Sequence, residues 1–140
     1  MEDGRPAAEG PIAVTDRSTY QAFESPDGRD VYFCVRDTAG LFRVPVAGGS
    51  IEAIPELSAV APGRNWIVTP QGIVFMRPAA DNLFAIERFD PVARRIDRLY
   101  TGPWAWTNFP GLAVSPDGRT IVLPRTEQQR VDIMMVERFK

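Results

Sequence analysis

Short apolar stretches separated by turn residues run through the whole sequence, and this pattern predicts β-strands. No stretch repeats its apolar residues at the spacing of a helix, and thirteen prolines interrupt the chain. Glycine, proline and aspartate, which favour reversals of the backbone, lie between many of these stretches. The sequence therefore predicts an all-β protein built from short hairpins.

One turn sequence recurs along the chain. Ser-Pro-Asp-Gly-Arg occurs twice, and a variant, Thr-Pro-Gln-Gly, lies midway between the two copies. The glycines of these turns are Gly28, Gly72 and Gly118, spaced 44 and 46 residues apart. Proline presets φ and glycine tolerates positive φ, so each copy predicts a tight hairpin turn in which Asp27 or Asp117 bonds its own backbone. A period near 45 residues is the length of one four-stranded propeller blade.

The predicted strands recur in the same order around each turn. The first strands cover residues 20–24, 66–68 and 112–114, and the second strands cover 31–35, 73–76 and 121–123. The third strands cover residues 41–46, 83–89 and 131–137. Fourth strands are predicted at residues 50–54 and 95–100. The third repeat has no predicted fourth strand before Lys140. We expect a flexible polar arm followed by a three-bladed half-propeller, with bounds of 1–10 for the arm, 11–140 for the half-propeller, and about 15–57, 58–102 and 103–140 for the repeats.

The turn sequence, the apolar strand after it and the segment Leu41–Gly49 resemble the TolB-like and WD-type β-propeller repeats of bacteria. The segment Val131–Phe139 looks like the last blade of propellers fused to bacterial regulators and kinases. The resemblance covers residues 12–140 and implies the C-terminal three blades of a six-bladed propeller. It implies little about function, because the matching residues are turn and core positions in a frame that serves many tasks. The middle repeat departs from the pattern, with Gln71 in place of the aspartate.

Three blades are half of a ring, since closed propellers use about four to eight blades. Six is the multiple of three in that range, so we expect a two-fold homodimer of three plus three blades. Ahead of the first repeat, Ile12 and Val14 are predicted to form a seam strand that pairs with the third repeat of the other chain. The alternatives are that this segment forms no strand, or that the natural chain continues upstream and the sequence is a fragment.

Composition removes several kinds of chemistry. Sixteen Lys+Arg against eighteen Asp+Glu leave a net charge of −2, which gives no electrostatic reason to expect nucleic acid or a membrane as partner. Histidine is absent, and with it the usual triads and the commonest metal ligand. Cys34 is predicted to be a small buried hydrophobe, and Glu87 and Asp90 a solvated strand end. We expect no catalytic residue, no metal and no cofactor.

One arginine lies at the end of the second strand in each repeat: Arg36, Arg77 and Arg125. In a dimer, six such cations would be able to gather round an anionic ligand or a carboxylate-rich partner. The alternative is that these are ordinary surface arginines in salt bridges.

Aromatic residues mark the entries to two repeats. Trp104, Trp106 and Phe109 lie in the loop before the third repeat, and Trp66 lies at the equivalent point of the second. Tryptophan is enriched at interaction hot spots, so these residues are candidates for a partner face. The alternative is that they fill the space between adjacent blades.

Together these features predict a non-catalytic binding or scaffold module that assembles with itself into a six-bladed ring. One alternative is a propeller enzyme of lactonase or hydrolase type with a central calcium, for which the first strands offer only Glu24, Asn65 and Asn108 as ligands. Another is a purely structural fragment of a larger bacterial regulator.

Overall fold

Eleven β-strands in three antiparallel sheets make up most of the described chain. The computed structural model describes residue 13 and residues 15–103, 111–127 and 130–137, with backbone alone for 125–127 and 130–132. The strands are β1 (Thr19–Glu24), β2 (Asp30–Val35), β3 (Leu41–Pro45), β4 (Glu52–Ala53), β5 (Trp66–Thr69), β6 (Gly72–Pro78), β7 (Leu83–Asp90), β8 (Arg95–Pro103), β9 (Ala113–Val114), β10 (Thr120–Glu127) and β11 (Arg130–Glu137). Two short 3-10 turns, Pro55–Leu57 and Ala80–Asn82, are the helical segments of this part. No helix within it is long and apolar enough to span a membrane.

Each sheet has its strands side by side in chain order, which is the arrangement of a propeller blade. Blade 1 contains β1 to β4, blade 2 contains β5 to β8, and blade 3 contains β9 to β11. The first strands of neighbouring blades contact each other, β1 with β5 and β5 with β9. The predicted all-β class and the four-stranded repeats are confirmed for blades 1 and 2, and the described part of blade 3 has three strands, as predicted. Completion by a second copy stays a prediction.

The strand bounds differ from the predicted ones mainly in the fourth strands. β4 comprises only Glu52–Ala53, whereas residues 50–54 were expected. Beyond β4 the Ile54 amide still donates to the Leu41 carbonyl at 2.9 Å, but Pro55 cannot donate a backbone hydrogen bond and starts the first 3-10 turn. β8 instead extends to Pro103 because β7 continues opposite it as far as Leu83.

The turns of blades 1 and 3 share three side-chain hydrogen bonds. In blade 1 the Ser25 hydroxyl donates to Asp27 Oδ1 at 2.6 Å and accepts from the Asp30 amide at 3.0 Å, while Asp27 Oδ1 also accepts from the Arg29 amide at 3.1 Å. In blade 3, Ser115, Asp117, Arg119 and Thr120 form the corresponding bonds. Gly28 and Gly118 both have φ of +70°, in the left-handed region where a side chain is strained.

Aromatic packing joins blade 1 to blade 2. The Trp66 side chain is 1% exposed and meets Phe23 of β1 edge to face, with ring centroids 5.1 Å apart. The Gln21 side-chain amide of β1 donates to the Trp66 carbonyl at 2.7 Å. Cys34 is fully buried in the same cluster, which confirms its assignment as a small core residue.

Blade 3 packs against blade 2 through one of its faces and exposes the other. Ile121 and Leu123 are buried in a cluster with residues of blade 2, and Met134 and Val136 of β11 pack against that cluster. Side chains alternate along a strand, so their neighbours Ile133 and Met135 point away; they are 79% and 61% exposed. Blade 3 therefore has an uncovered apolar face within the described chain.

Candidate functional site

Glu87, the one buried charged residue among those that the structure describes, is a carboxylate shared by two arginines. The Glu87 side chain is 3% exposed, while those of Arg77 and Arg98 are 34% and 52% exposed. Arg77 Nε lies 2.7 Å from Glu87 Oε2, and Arg77 Nη2 donates to Oε1 at 3.1 Å. Arg98 donates to the same Oε1 from Nη2 at 2.9 Å and from Nε at 3.1 Å. We call these three residues the arginine–glutamate triad.

Strand register brings the triad together on one face of blade 2. Glu87 of β7 lies opposite Phe75 of β6 and opposite Arg98 of β8, and Arg77 is two residues beyond Phe75. An irregularity in the β7–β8 pairing between Ile86 and Glu87 sets Arg98, rather than the residue after it, against Glu87. The triad thus depends on a local shift in pairing.

The expectation of a solvated strand end at Glu87 was wrong. Glu87 is 2% exposed because it shares its face of β7 with Ala85 and Phe89, which are both buried. Asp90, two residues further, does lie at the strand end, where its Oδ1 accepts from the Val92 amide at 2.8 Å and the Ala93 amide at 3.0 Å. These amide bonds, that from Ala93 above all, lower the pKa of Asp90.

The charge balance of the triad leaves it open to a further anion. Removing a carboxylate from water costs roughly several kcal/mol of free energy. Here the attraction of two guanidinium groups offsets this cost. Each guanidinium carries five N–H donors and directs only its Nε and Nη2 groups at Glu87. Two positive charges and one negative charge leave a net +1 with donors facing solvent.

The three arginines expected to form one anion site lie in different surroundings. Arg36 lies over the ring of Tyr20, with its guanidinium carbon 5.9 Å from the ring centroid, and its Nε is 4.0 Å from Asp37. Arg77 belongs to the triad. The backbone of Arg125 lies in β10 opposite Asp132, and its side chain lies outside the described part. A ligand face formed by these three arginines stays a prediction, and Arg98, which joins Arg77 at Glu87, was not among the predicted residues.

The aromatic candidates divide into one core residue and three outside the described chain. Trp66 packs between blades 1 and 2, the position that the packing alternative gave it, and a side chain 1% exposed offers no surface to a partner. Trp104, Trp106 and Phe109 lie outside the described residues, as do the seam-strand candidates Ile12 and Val14.

Metal-binding side chains do not cluster in the part of the chain that the structure describes, where no group of three His, Cys, Asp or Glu residues forms a candidate site. Of the expected ligands for a central calcium, Asn65 is buried and its amide donates to the Met76 carbonyl at 3.1 Å. Glu24 lies beside the turn glycine Gly28, and Asn108 lies outside the described residues.

Comparison with known proteins finds structural likenesses at low identity. No family model matches the chain, and no curated protein matches it. A solved candidate 6-phosphogluconolactonase from Bacteroides fragilis NCTC 9343 is 11% identical, with a TM-score of 0.48, and the match covers 85% of this chain and 39% of that one. A second, from Bacteroides uniformis ATCC 8492, is 10% identical, with a TM-score of 0.46, and the match covers 98% of this chain and 47% of that one. The chain thus spans less than half the length of these proteins.

Proposed function

We propose that this chain is a non-catalytic β-propeller module that binds a phosphate or carboxylate group at the arginine–glutamate triad. The observation that carries the proposal is one buried carboxylate holding two partly exposed guanidinium groups. Planar guanidinium groups recognise carboxylate and phosphate through paired hydrogen bonds. Glu87 fixes their orientation, so less side-chain freedom is lost when an anion binds.

The contribution that the triad makes to stability does not by itself explain its presence. Replacing a buried ion pair by well-packed apolar residues is often neutral or stabilising. The face of β7 around Glu87 is apolar, with Ala85 and Phe89 on either side, so an apolar residue would suit this position. A binding role accounts for charge where packing does not require it.

Calorimetric titration with inorganic phosphate and with citrate, at fixed ionic strength, tests the binding. Arg98→Gln removes one guanidinium and keeps the Arg77–Glu87 pair, so the variant should fold. We expect saturable binding that falls at least tenfold in Arg98→Gln. The matched control is Arg95→Gln, which removes another arginine of β8 paired with Asp97, and it should bind normally.

Three results would contradict the proposal: no binding of either anion, equal loss in both variants, or an unchanged affinity in Arg98→Gln. Hydrolysis of 6-phosphogluconolactone by the intact chain would replace the non-catalytic reading with the lactonase-type alternative.

Assembly with a second copy is the second function we propose, and the exposed face of blade 3 favours it. Ile133 and Met135 are largely exposed, and an apolar pocket of about 340 Å³ is lined on this face by Val122, Pro124 and Ile133. An uncovered face with an edge strand beside it is a surface that proteins ordinarily cover. In a ring of three plus three blades it would meet blade 1 of the partner copy.

The other end of the half-ring limits how this contact forms. The blade 1 cluster of Phe33, Val35 and Val44 is apolar but already buried, so the seam would use its partly buried neighbours Val31 and Phe42. Light scattering at micromolar concentration tests the assembly. We expect a dimer that is lost in the double variant Ile133→Glu, Met135→Glu, and kept in Val92→Glu, which alters a side chain 92% exposed on blade 2. A monomeric wild type would exclude it.

A further inference from the structure

A two-lobed groove lies between blades 1 and 2 at the end that carries the tight turns. Its lobes have volumes of about 330 and 370 Å³, and both are lined by Tyr32 and Pro91. Gly72 lines the groove, whereas Arg77 is five residues further along β6, roughly 16 Å away at the rise of a strand. No residue of the arginine–glutamate triad lines the groove, and the nearest lining residue along β7 is Phe89, two residues from Glu87.

Tyr32 provides a hydrogen-bonding group at the junction of the two lobes. Its side chain is nine-tenths buried, at 5% exposure for the residue, yet its hydroxyl forms no hydrogen bond with any described residue. Burial, above all, and the nearby charge of Asp30 raise the pKa of Tyr32, so the hydroxyl stays protonated at neutral pH. The hydroxyl is not among the buried side-chain atoms that lack a partner, so it is reached from the groove and is open to a ligand.

One lobe, which we call the charged lobe, has arginine on both walls. Arg43 is paired with Glu52 on the blade 1 wall, at 2.8 Å between Nη2 and Oε2. On the other wall Arg94 of the β7–β8 turn donates to both carboxylate oxygens of Glu56, each at 2.8 Å. The walls therefore offer donors and acceptors together, over a floor that includes Phe89.

The second lobe, which we call the proline lobe, has an apolar wall beside the polar residues Thr69, Gln71 and Asp90. Pro26, Pro70 and Pro91 come from three different turns, and Val68 and Ile73 of blade 2 complete its apolar lining. The prolines have fixed φ and no backbone N–H, so this wall is stiff and presents few donors. It suits an aliphatic side chain better than a polar one.

We propose that this groove binds an extended peptide segment, with an aliphatic side chain in the proline lobe and an acidic side chain in the charged lobe. In an extended chain, side chains two residues apart point the same way at a spacing of about 7 Å, with backbone amides between them. The Tyr32 hydroxyl, at the junction, bonds one of those backbone groups. A sugar has no aliphatic branch to fill the proline lobe.

Amide chemical shifts in a nitrogen–proton correlation spectrum test the site directly. The probe is a blocked leucine–alanine–glutamate tripeptide, titrated into the intact chain. We expect saturable shifts at the amides of Ala53, Gly72 and Ile73, which line the two lobes. Tyr32→Phe keeps the ring and should weaken binding about fivefold, the value of one neutral hydrogen bond. Tyr100→Phe, a tyrosine packed on Phe84 in another cluster, is the matched control and should bind normally.

Probes of other chemistry make the result decisive. A blocked alanine–alanine–glutamate peptide should bind several-fold more weakly, because it leaves the proline lobe empty. The proposal is overturned if the leucine peptide causes no shift, if Tyr32→Phe binds as tightly as the wild type, or if methyl glucoside produces the same shifts. Inorganic phosphate should leave these amides unmoved, so the outcome is independent of the triad.

Discussion

The hairpin turn of blade 2 is stabilised by different hydrogen bonds from those of the turn repeated in blades 1 and 3. In blades 1 and 3, serine and aspartate side chains bond the turn amides, and the glycine at φ +70° has a flexible side chain nearby. In blade 2 the chain turns directly from Thr69 to Gly72, which pair across the hairpin. The Thr69 hydroxyl donates to the Gly72 carbonyl at 2.9 Å and accepts from the Gln71 amide at 3.2 Å.

The difference changes what the glycine is needed for. Gly72 has φ of +130°, and a Cβ at this position would overlap the backbone carbonyl oxygen of Phe89. At Gly28 the nearest atom to such a Cβ is Glu24 Oε1 at 3.2 Å, and at Gly118 it is Gln71 Oε1 at 2.9 Å, both at the ends of flexible side chains. The copy with the poorest sequence match is therefore the one in which packing requires glycine most strictly.

Gly72→Ala should have the largest effect. An alanine there combines left-handed backbone strain with overlap against a backbone atom that cannot move aside, together about 3 kcal/mol of unfolding free energy. Denaturant unfolding followed by tryptophan fluorescence measures it. If the loss of unfolding free energy is no larger than that of Gly28→Ala, the β7 backbone moves to make room for the added methyl group.

The sequence predicts the local turns of this fold better than it predicts the contacts between residues on different strands. The turn period located every blade, because proline and glycine determine local backbone geometry. It could not show that Phe89 approaches Gly72, since that contact depends on the pairing of β6 with β7. The prediction of a solvated strand end at Glu87 was wrong, although Ala85 and Phe89, two residues to either side, were a signal for a buried face. The pairing irregularity that brings in Arg98 has no local signal.

Gly28→Ala should have the next largest effect. The strain of alanine at φ +70° costs about 1 to 2 kcal/mol, and the Glu24 side chain can turn away from the added methyl group. Gly118→Ala should match it within error, because the two turns have the same backbone conformation. The same fluorescence measurement applies, and a clear difference between the two would mean that the contact with Gln71 also contributes.

Ser25→Ala should cost about 1 kcal/mol or slightly more, because it leaves two amides without their hydroxyl partner. Thr69→Val is the matched change in blade 2, where the hydroxyl accepts from only one amide. We expect Ser25→Ala to lower the denaturation midpoint further than Thr69→Val. If Thr69→Val lowers the denaturation midpoint further than Ser25→Ala, the Thr69 hydroxyl contributes more to stability than its hydrogen bonds indicate.

The smallest predicted effect is a difference between the turns in how they make the unfolding free energy depend on pH. The serine hydroxyl bonds, followed by the amides of Arg29 and Arg119, lower the pKa of Asp27 and Asp117 below the ordinary value of 3.8. These carboxyls bind protons less readily in the folded than in the unfolded chain, so their contribution to stability is present above that value. It is lost as the pH falls through their folded pKa.

The tight turn of blade 2 has Gln71 at this position, so this turn has no carboxyl to titrate. Unfolding free energy measured from pH 6 down to pH 2.5 should therefore fall less steeply in the double variant Asp27→Asn, Asp117→Asn than in the wild type. Some slope should remain, because Asp90 and Asp97 also have lowered pKa values. Asp16→Asn removes an exposed aspartate before β1 and is the control for the change in net charge. If it flattens the slope as much as the double variant, the acid sensitivity comes from net charge rather than from the turns.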